Sequence, residues 1–153
     1  MFRISCKIPI RICESTLVKS VESLIIPSKS ILLIFGKRTM KLQQSELEGG
    51  IRLVKLIGTL DMNGTYSIEI EFVRSCAGEN VFVIVDLSRM NYISSIGIPM
   101  LLNTAKSVSS QGGKMVLLSP QRNVAEVLDI TGIPQIIPIH TDLKSAMDAV
   151  AAV

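Results

Sequence analysis

There is no tryptophan in this 153-residue chain, and aromatic residues make up only 4% of it. Surfaces that stack nucleobases are built from such rings, so their scarcity argues against single-stranded nucleic-acid binding. Histidine occurs once, as His140, which leaves little for a histidine-based catalytic or metal centre. Cys6, Cys13 and Cys76 are odd in number, and none has metal-ligand spacing with the histidine; they read as reduced thiols of a cytoplasmic protein. Long apolar runs are missing too. "LIIPSKSILLIF" is broken by Pro27, Ser28, Lys29 and Ser30 and is too short to cross a bilayer. Arg3, Lys7 and Arg11 interrupt any apolar core of a signal peptide. The expectation is no metal, no cofactor, no membrane insertion and a cytoplasmic location.

What charge there is lies unevenly. Residues 1–40 carry seven Lys or Arg against two Asp or Glu, a net of +5, while residues 41–153 carry nine against eleven, a net of −2. The overall +3 therefore belongs to the N-terminal stretch. Residues 41–153 hold no basic patch interleaved with aromatics, so no nucleic-acid partner is expected. The length suits one domain with an extension. Such a domain buries about two-thirds of its unfolded surface and needs no disulfide or metal to stand. Residues 1–39 show no clean period and read as a basic N-terminal extension. A flexible tail, an upstream start outside the natural protein and a hairpin packed on the domain all fit them. The domain itself is read as residues 40–153.

From Met40 the pattern sharpens. A short strand near 41–47 and a turn at Gly49-Gly50 lead into the strand "IRLVKLIGTL". "VFVIVDL" (81–87) and "KMVLLS" (114–119) are continuous apolar runs rich in β-branched residues, as expected of strands covered on both faces. "QIIPIH" (135–140) is weaker, and Pro138 puts it at a sheet edge. Residues 96–111 carry Leu101, Leu102, Ala105 and Val108 on one helical face, ended by Gly112-Gly113. Asn123 is the expected cap of a helix with Val124, Val127 and Leu128, Glu126 completing a capping box and Gly132 closing it. Thr141 is the expected cap of a last helix through Leu143, Ala146, Met147 and Val150, with Asp142 in its first turn. "YSIEIEF" (66–72) alternates like a strand, yet a crossover between parallel strands requires a helix there. The expected fold class is α/β: one domain with a mixed, mostly parallel sheet of about four to five strands and about four α-helices.

The stretch "MNYISSIGIPMLL" (90–102) sets two serines between a strand and a helix. A serine nucleophile needs a base within reach, and the surrounding Ile93-Ser94-Ser95-Ile96-Gly97 lacks the first glycine of a nucleophile elbow. Asp61 and Asp86 each read as alone at a strand end, and His140 as a strand-end residue. No catalytic residue is assigned, and a hydrolase is disfavoured. Capping is the ordinary role of a serine before a helix, with Pro99 tolerated in the first turn. The same place also welcomes a phosphoryl group, because a helix start favours negative charge. Tyr92, Ile93, Ile96 and Ile98 would form an apolar collar around it.

The sequence "VFVIVDLSRMNYISSIGIPMLL", with "GTLDMNGTY" before it and "GGKMVLLSPQRNVAEVLDITGI" after it, resembles the STAS domains of bacterial anti-sigma-factor antagonists over about residues 41–153. The resemblance implies partner switching. The unphosphorylated antagonist binds an anti-sigma factor serine kinase, an ATP-binding protein of histidine-kinase-like fold; phosphorylation ends that binding, and a serine phosphatase restores it. The best-known motif is Asp-Ser-Ser-Gly with its second serine modified; aligned on Gly97, that acceptor position is Ile96. A Ser-Ser-Ala-Gly variant matches better, with Ile96 in place of alanine. The resemblance thus implies Ser95 as first acceptor and Ser94 as second, with Asp61, Tyr92, Ile93, Ile96, Gly97 and Ile98 facing the partner. The alternative is a STAS interaction module of a transporter or signalling assembly that is not phosphorylated.

Overall fold

The computed structural model describes residues 40–152; the basic stretch 1–39, with Cys6, Cys13 and "LIIPSKSILLIF", lies outside them. Among the described residues five strands form one sheet in the order β1-β2-β3-β4-β5. They are β1 (Lys41–Glu46), β2 (Arg52–Leu60), β3 (Phe82–Ile93), β4 (Lys114–Leu118) and β5 (Ile139–His140). β1 runs antiparallel to β2, and the other neighbours are parallel. Among the described residues three α-helices connect these strands, α1 (Met62–Cys76), α2 (Gly97–Ser110) and α3 (Arg122–Ile130), and a fourth, α4 (Leu143–Ala151), follows β5. The fold is α/β with a mixed, mostly parallel sheet.

Successive strand residues point to opposite faces, and both faces of the central strands are covered. Val83, Val85 and Leu87 of β3 join Val54, Leu56 and Leu117 beneath Ile68 and Phe72 of α1, Leu101 of α2 and Leu128 of α3. Ile84 faces the other way, with Leu53, Val116 and Leu118, against Ala146 and Val150 of α4. This double burial is why 81–87 and 114–119 read as unbroken apolar runs.

The alternating stretch 66–72 is helical. Gly64, Thr65, Ile68, Phe72, Ser75 and Cys76 form the buried stripe of α1, at three- and four-residue spacing. Ile70, which creates the false alternation, is 69% exposed. Asp61 starts the helix, its Oδ1 accepting from Gly64 N at 2.7 Å. A Cβ on Gly64 would lie 2.2 Å from Thr59 O, so only glycine lets the helix begin this close to β2. At the other end Arg52 of β2 donates through Nη1 to Ala77 O at 2.7 Å and Ser75 O at 3.1 Å, satisfying carbonyls that the helix leaves open.

Several local expectations are corrected. Asn123 does not cap α3: Gln121 holds that place without a side-chain bond, and Asn123 donates through Nδ2 to Asn91 O instead. Glu126 consequently closes no capping box and pairs with Arg122 at 3.1 Å. Asp142, not Thr141, caps α4, accepting from Ser145 N at 2.8 Å. The last strand is shorter than 135–140: residues Ile133–Gln135 form a 3-10 turn that buries Ile133, and pairing with β4 begins at Pro138, whose O accepts from Leu117 N at 2.9 Å. β5 does lie at the sheet edge. Asp86 is not at a strand end, since β3 runs seven residues past it.

Candidate functional site

The paired serines sit where β3 turns into α2. Leu60 and Ile93 end β2 and β3 as register partners. Directly after them, Ser94 N donates to Leu60 O at 2.9 Å and Gly97 N to Ser94 O at 3.0 Å. The loop is thus a tight backbone turn hung from the end of β2. Asp61 follows Leu60 in the chain, so the start of α1 and the serine loop share one corner of the sheet, and its carboxylate is engaged with Gly64.

Neither serine caps α2 through its side chain. The capping position falls to Ile96, in a helical conformation and without a side-chain bond. The backbone turn at Ser94 does the work expected of a hydroxyl. The two serines also differ. Ser94 is half-buried, and its Oγ is shielded from solvent without a hydrogen-bond partner; Ser95 is exposed. Ser95 and Ile96 open onto a groove of about 490 Å³ between α1 and α2, whose far wall carries Tyr66, Glu69 and Val73 and whose floor includes Met100. Apolar groups rim it: Tyr66 is 65% exposed, Val73 44% and Ile96 37%.

The expected collar is divided. Ile93 is 2% exposed and belongs to the core. Tyr92, its neighbour, projects to the opposite face of the strand and is 51% exposed. Ile98 is half-buried against the core. Gly97 is buried, and a Cβ there would lie 2.6 Å from Leu60 Cδ2. The structure therefore brings Ser95 and Ile96 together at the groove and sets Tyr92 across the strand end. The α1 wall, Tyr66 and Val73, escaped sequence reasoning. Its signal was present in the apolar residues left over once the buried stripe of α1 had been assigned.

The other polar groups have structural partners. Asp86 is buried, lies 3.5 Å from Lys55 Nζ, and accepts from Ser88 N at 2.9 Å; it holds a bulge of β3 and forms no dyad with Asp61. His140 ends β5, its Nε2 shielded and unpartnered. Burial pushes the Cys76 thiol up to about 12, against the lowering influence of Arg52. Among the described residues no cluster of His, Cys, Asp and Glu could hold a metal ion, and no helix is long and apolar enough to cross a membrane.

The STAS domain family model matches residues 43–146. A putative anti-sigma factor antagonist of Bordetella bronchiseptica, BtrV, is 29% identical over 110 residues, covering 72% of this chain and 94% of that protein. Among solved structures, an anti-sigma factor antagonist from Mycobacterium paratuberculosis matches with a TM-score of 0.64 at 18% identity, over 75% of this chain and 97% of that one. The Bacillus cell fate determinant SpoIIAA in its phosphorylated form matches with a TM-score of 0.53 at 19% identity, over 72% and 99% of the two chains. These structural likenesses bear on the fold; the family match covers most of the sequence, and the chain belongs to the STAS domain family.

Proposed function

We propose that this STAS domain is an anti-sigma-factor antagonist that binds an anti-sigma serine kinase through the serine loop and is switched off by phosphorylation of Ser95. The observation that carries the reading is the contrast between the two hydroxyls: Ser95 stands exposed at the mouth of an apolar-rimmed groove, whereas Ser94 is shielded. The names of the similar curated relatives support the role, and the phosphorylated form of SpoIIAA shares the fold.

In this reading the chain supplies only a hydroxyl. Ser95 Oγ attacks the γ-phosphorus of ATP held by the kinase, the bond to ADP breaks, and the serine proton leaves to a base on the kinase. The modified residue gains roughly −1.5 to −2 charges. The start of α2 favours that charge through its dipole. It has few free donors to offer, because Gly97 N is already given to Ser94 O and Pro99 has none. The phosphate therefore stays largely in water, beside Ile96 and across the groove from Glu69. A partner that docks on the apolar rim would have to strip it of that water, which is costly, and binding is lost while the domain stays folded. A phosphatase would reverse the change.

The test is a titration of the full chain against a histidine-kinase-like ATPase domain from the same genome. The unmodified chain should bind, and Ser95→Asp should bind more weakly at an unchanged melting temperature. Equal binding by the two would refute the switch. Binding only to a membrane transporter's cytoplasmic region would move the chain to the second class, an interaction module without phosphoregulation.

A further inference from the structure

β3 consists of two unequal parts. As far as Asp86 it is paired on both sides, to β2 and to β4. Beyond Asp86 it has no further rung with β4, while its pairing with β2 continues through Arg89, Met90, Tyr92 and Ile93 with two register shifts. β4 ends at Leu118, and Ser119 turns the chain aside with a φ of 46°. Residues 87–93 are thus an arm whose backbone is paired on one side only, by an irregular ladder, while Leu87, Met90 and Ile93 anchor it in the core; the serine loop hangs from its tip. One-sided pairing leaves the backbone groups on its other edge in need of other partners.

In place of the missing strand, the chain that leaves β4 supplies two side-chain donors. Gln121 Nε2 donates to Ser88 O at 3.0 Å, and Asn123 Nδ2 donates to Asn91 O. Both donors sit at the start of α3, which is anchored in the core by Val124 and Leu128, each with no exposed surface. The anchor is rigid, the two accepting carbonyls lie three residues apart on the arm, and neither amide serves as a cap for its own helix.

We propose that Gln121 and Asn123 are positioning residues that clamp the arm and so set the geometry in which Ser95 is offered to the phosphorylating partner; this rests on the reading of Ser95 above. Without the clamp, the ordering of residues 87–95 must be supplied at the moment of binding, which weakens association.

The test uses the full chain carrying Gln121→Met, Asn123→Leu and both together, which keep side-chain size and remove the donors. Amide hydrogen exchange should accelerate roughly thirtyfold in residues 87–95 of the double variant, the loss of two hydrogen bonds of ordinary net strength, and more than in residues 82–86, with the melting temperature lowered by several degrees through the same loss. Affinity for the kinase should fall by a similar factor. Unchanged exchange would overturn the clamp. Exchange accelerated to the same extent throughout the domain would reduce the pair to a general structural role. A local acceleration with undiminished kinase affinity would overturn the positioning role. If the wild-type chain itself binds no kinase, the functional reading falls, and the exchange comparison alone decides whether the two amides hold the arm.

Discussion

Gly97→Ala probes the packing beneath the serine loop. Gly97 opens α2, where alanine is the better helix former by at most about 1 kcal/mol. Packing opposes that gain. The added Cβ would lie 2.6 Å from Leu60 Cδ2, 2.8 Å from Leu60 Cγ and 3.3 Å from Ile93 Cγ1. Leu60 has no exposed surface, and its Cγ is a branch point, so the side chain must shift as a whole. Overpacking of this kind costs about 1–3 kcal/mol, which leaves a net loss of up to about 2 kcal/mol once the helix gain is subtracted. For a domain of this size the melting temperature should fall, by up to roughly 8 °C, read by circular dichroism. A second arm isolates the cause. Leu60→Ala opens a cavity and costs about 2–5 kcal/mol alone, but it also removes the atoms in conflict. The double variant should then be no less stable than Leu60→Ala by itself, a strong departure from additivity. A melting temperature that rises with Gly97→Ala, or a double variant showing the full sum of both losses, would refute the packing argument.

Ser94→Ala should leave stability unchanged or slightly raised in a denaturant titration, since it removes a buried hydroxyl that has no partner; a loss of about 1 kcal/mol would instead mark a capping role. A chain starting at residue 40 should melt within a few degrees of the full chain; a collapse would mean that residues 1–39 support the domain. Cys76 is the single cysteine of that shorter chain. Its thiol, held protonated by burial with a pKa of about 12, should resist a thiol reagent at pH 8 until the domain unfolds, and prompt labelling of the native protein would contradict its burial.

The central strands were legible because both their faces are covered, which leaves Asp86 the one polar residue of 81–87 and confines those of 114–119 to its ends, Lys114 and Ser119. The helix at 62–76 was legible only through connectivity. Its local pattern was misleading, because Ile70 and Tyr66 project outward instead of into the core, Tyr66 onto the groove. Caps were misread where two candidates stand one or two residues apart. Thr141 and Asp142 offer the same chemistry, and Asn123 is engaged by a carbonyl 32 residues away that no local rule could find. The continuation of β3 past Asp86 was hidden for the same reason, since its polar residues are tolerated on a strand paired on one side. At the site, the sequence placed both serines before a helix, but only the turn closed by Ser94 O and Gly97 N separates the shielded hydroxyl from the exposed one.

Phosphate mapping on the full chain tests the central claim most directly. After incubation with the kinase and ATP, mass spectrometry should find one added phosphate, located on Ser95 and abolished by Ser95→Ala. A phosphate on Ser94, or on neither serine, would contradict the account.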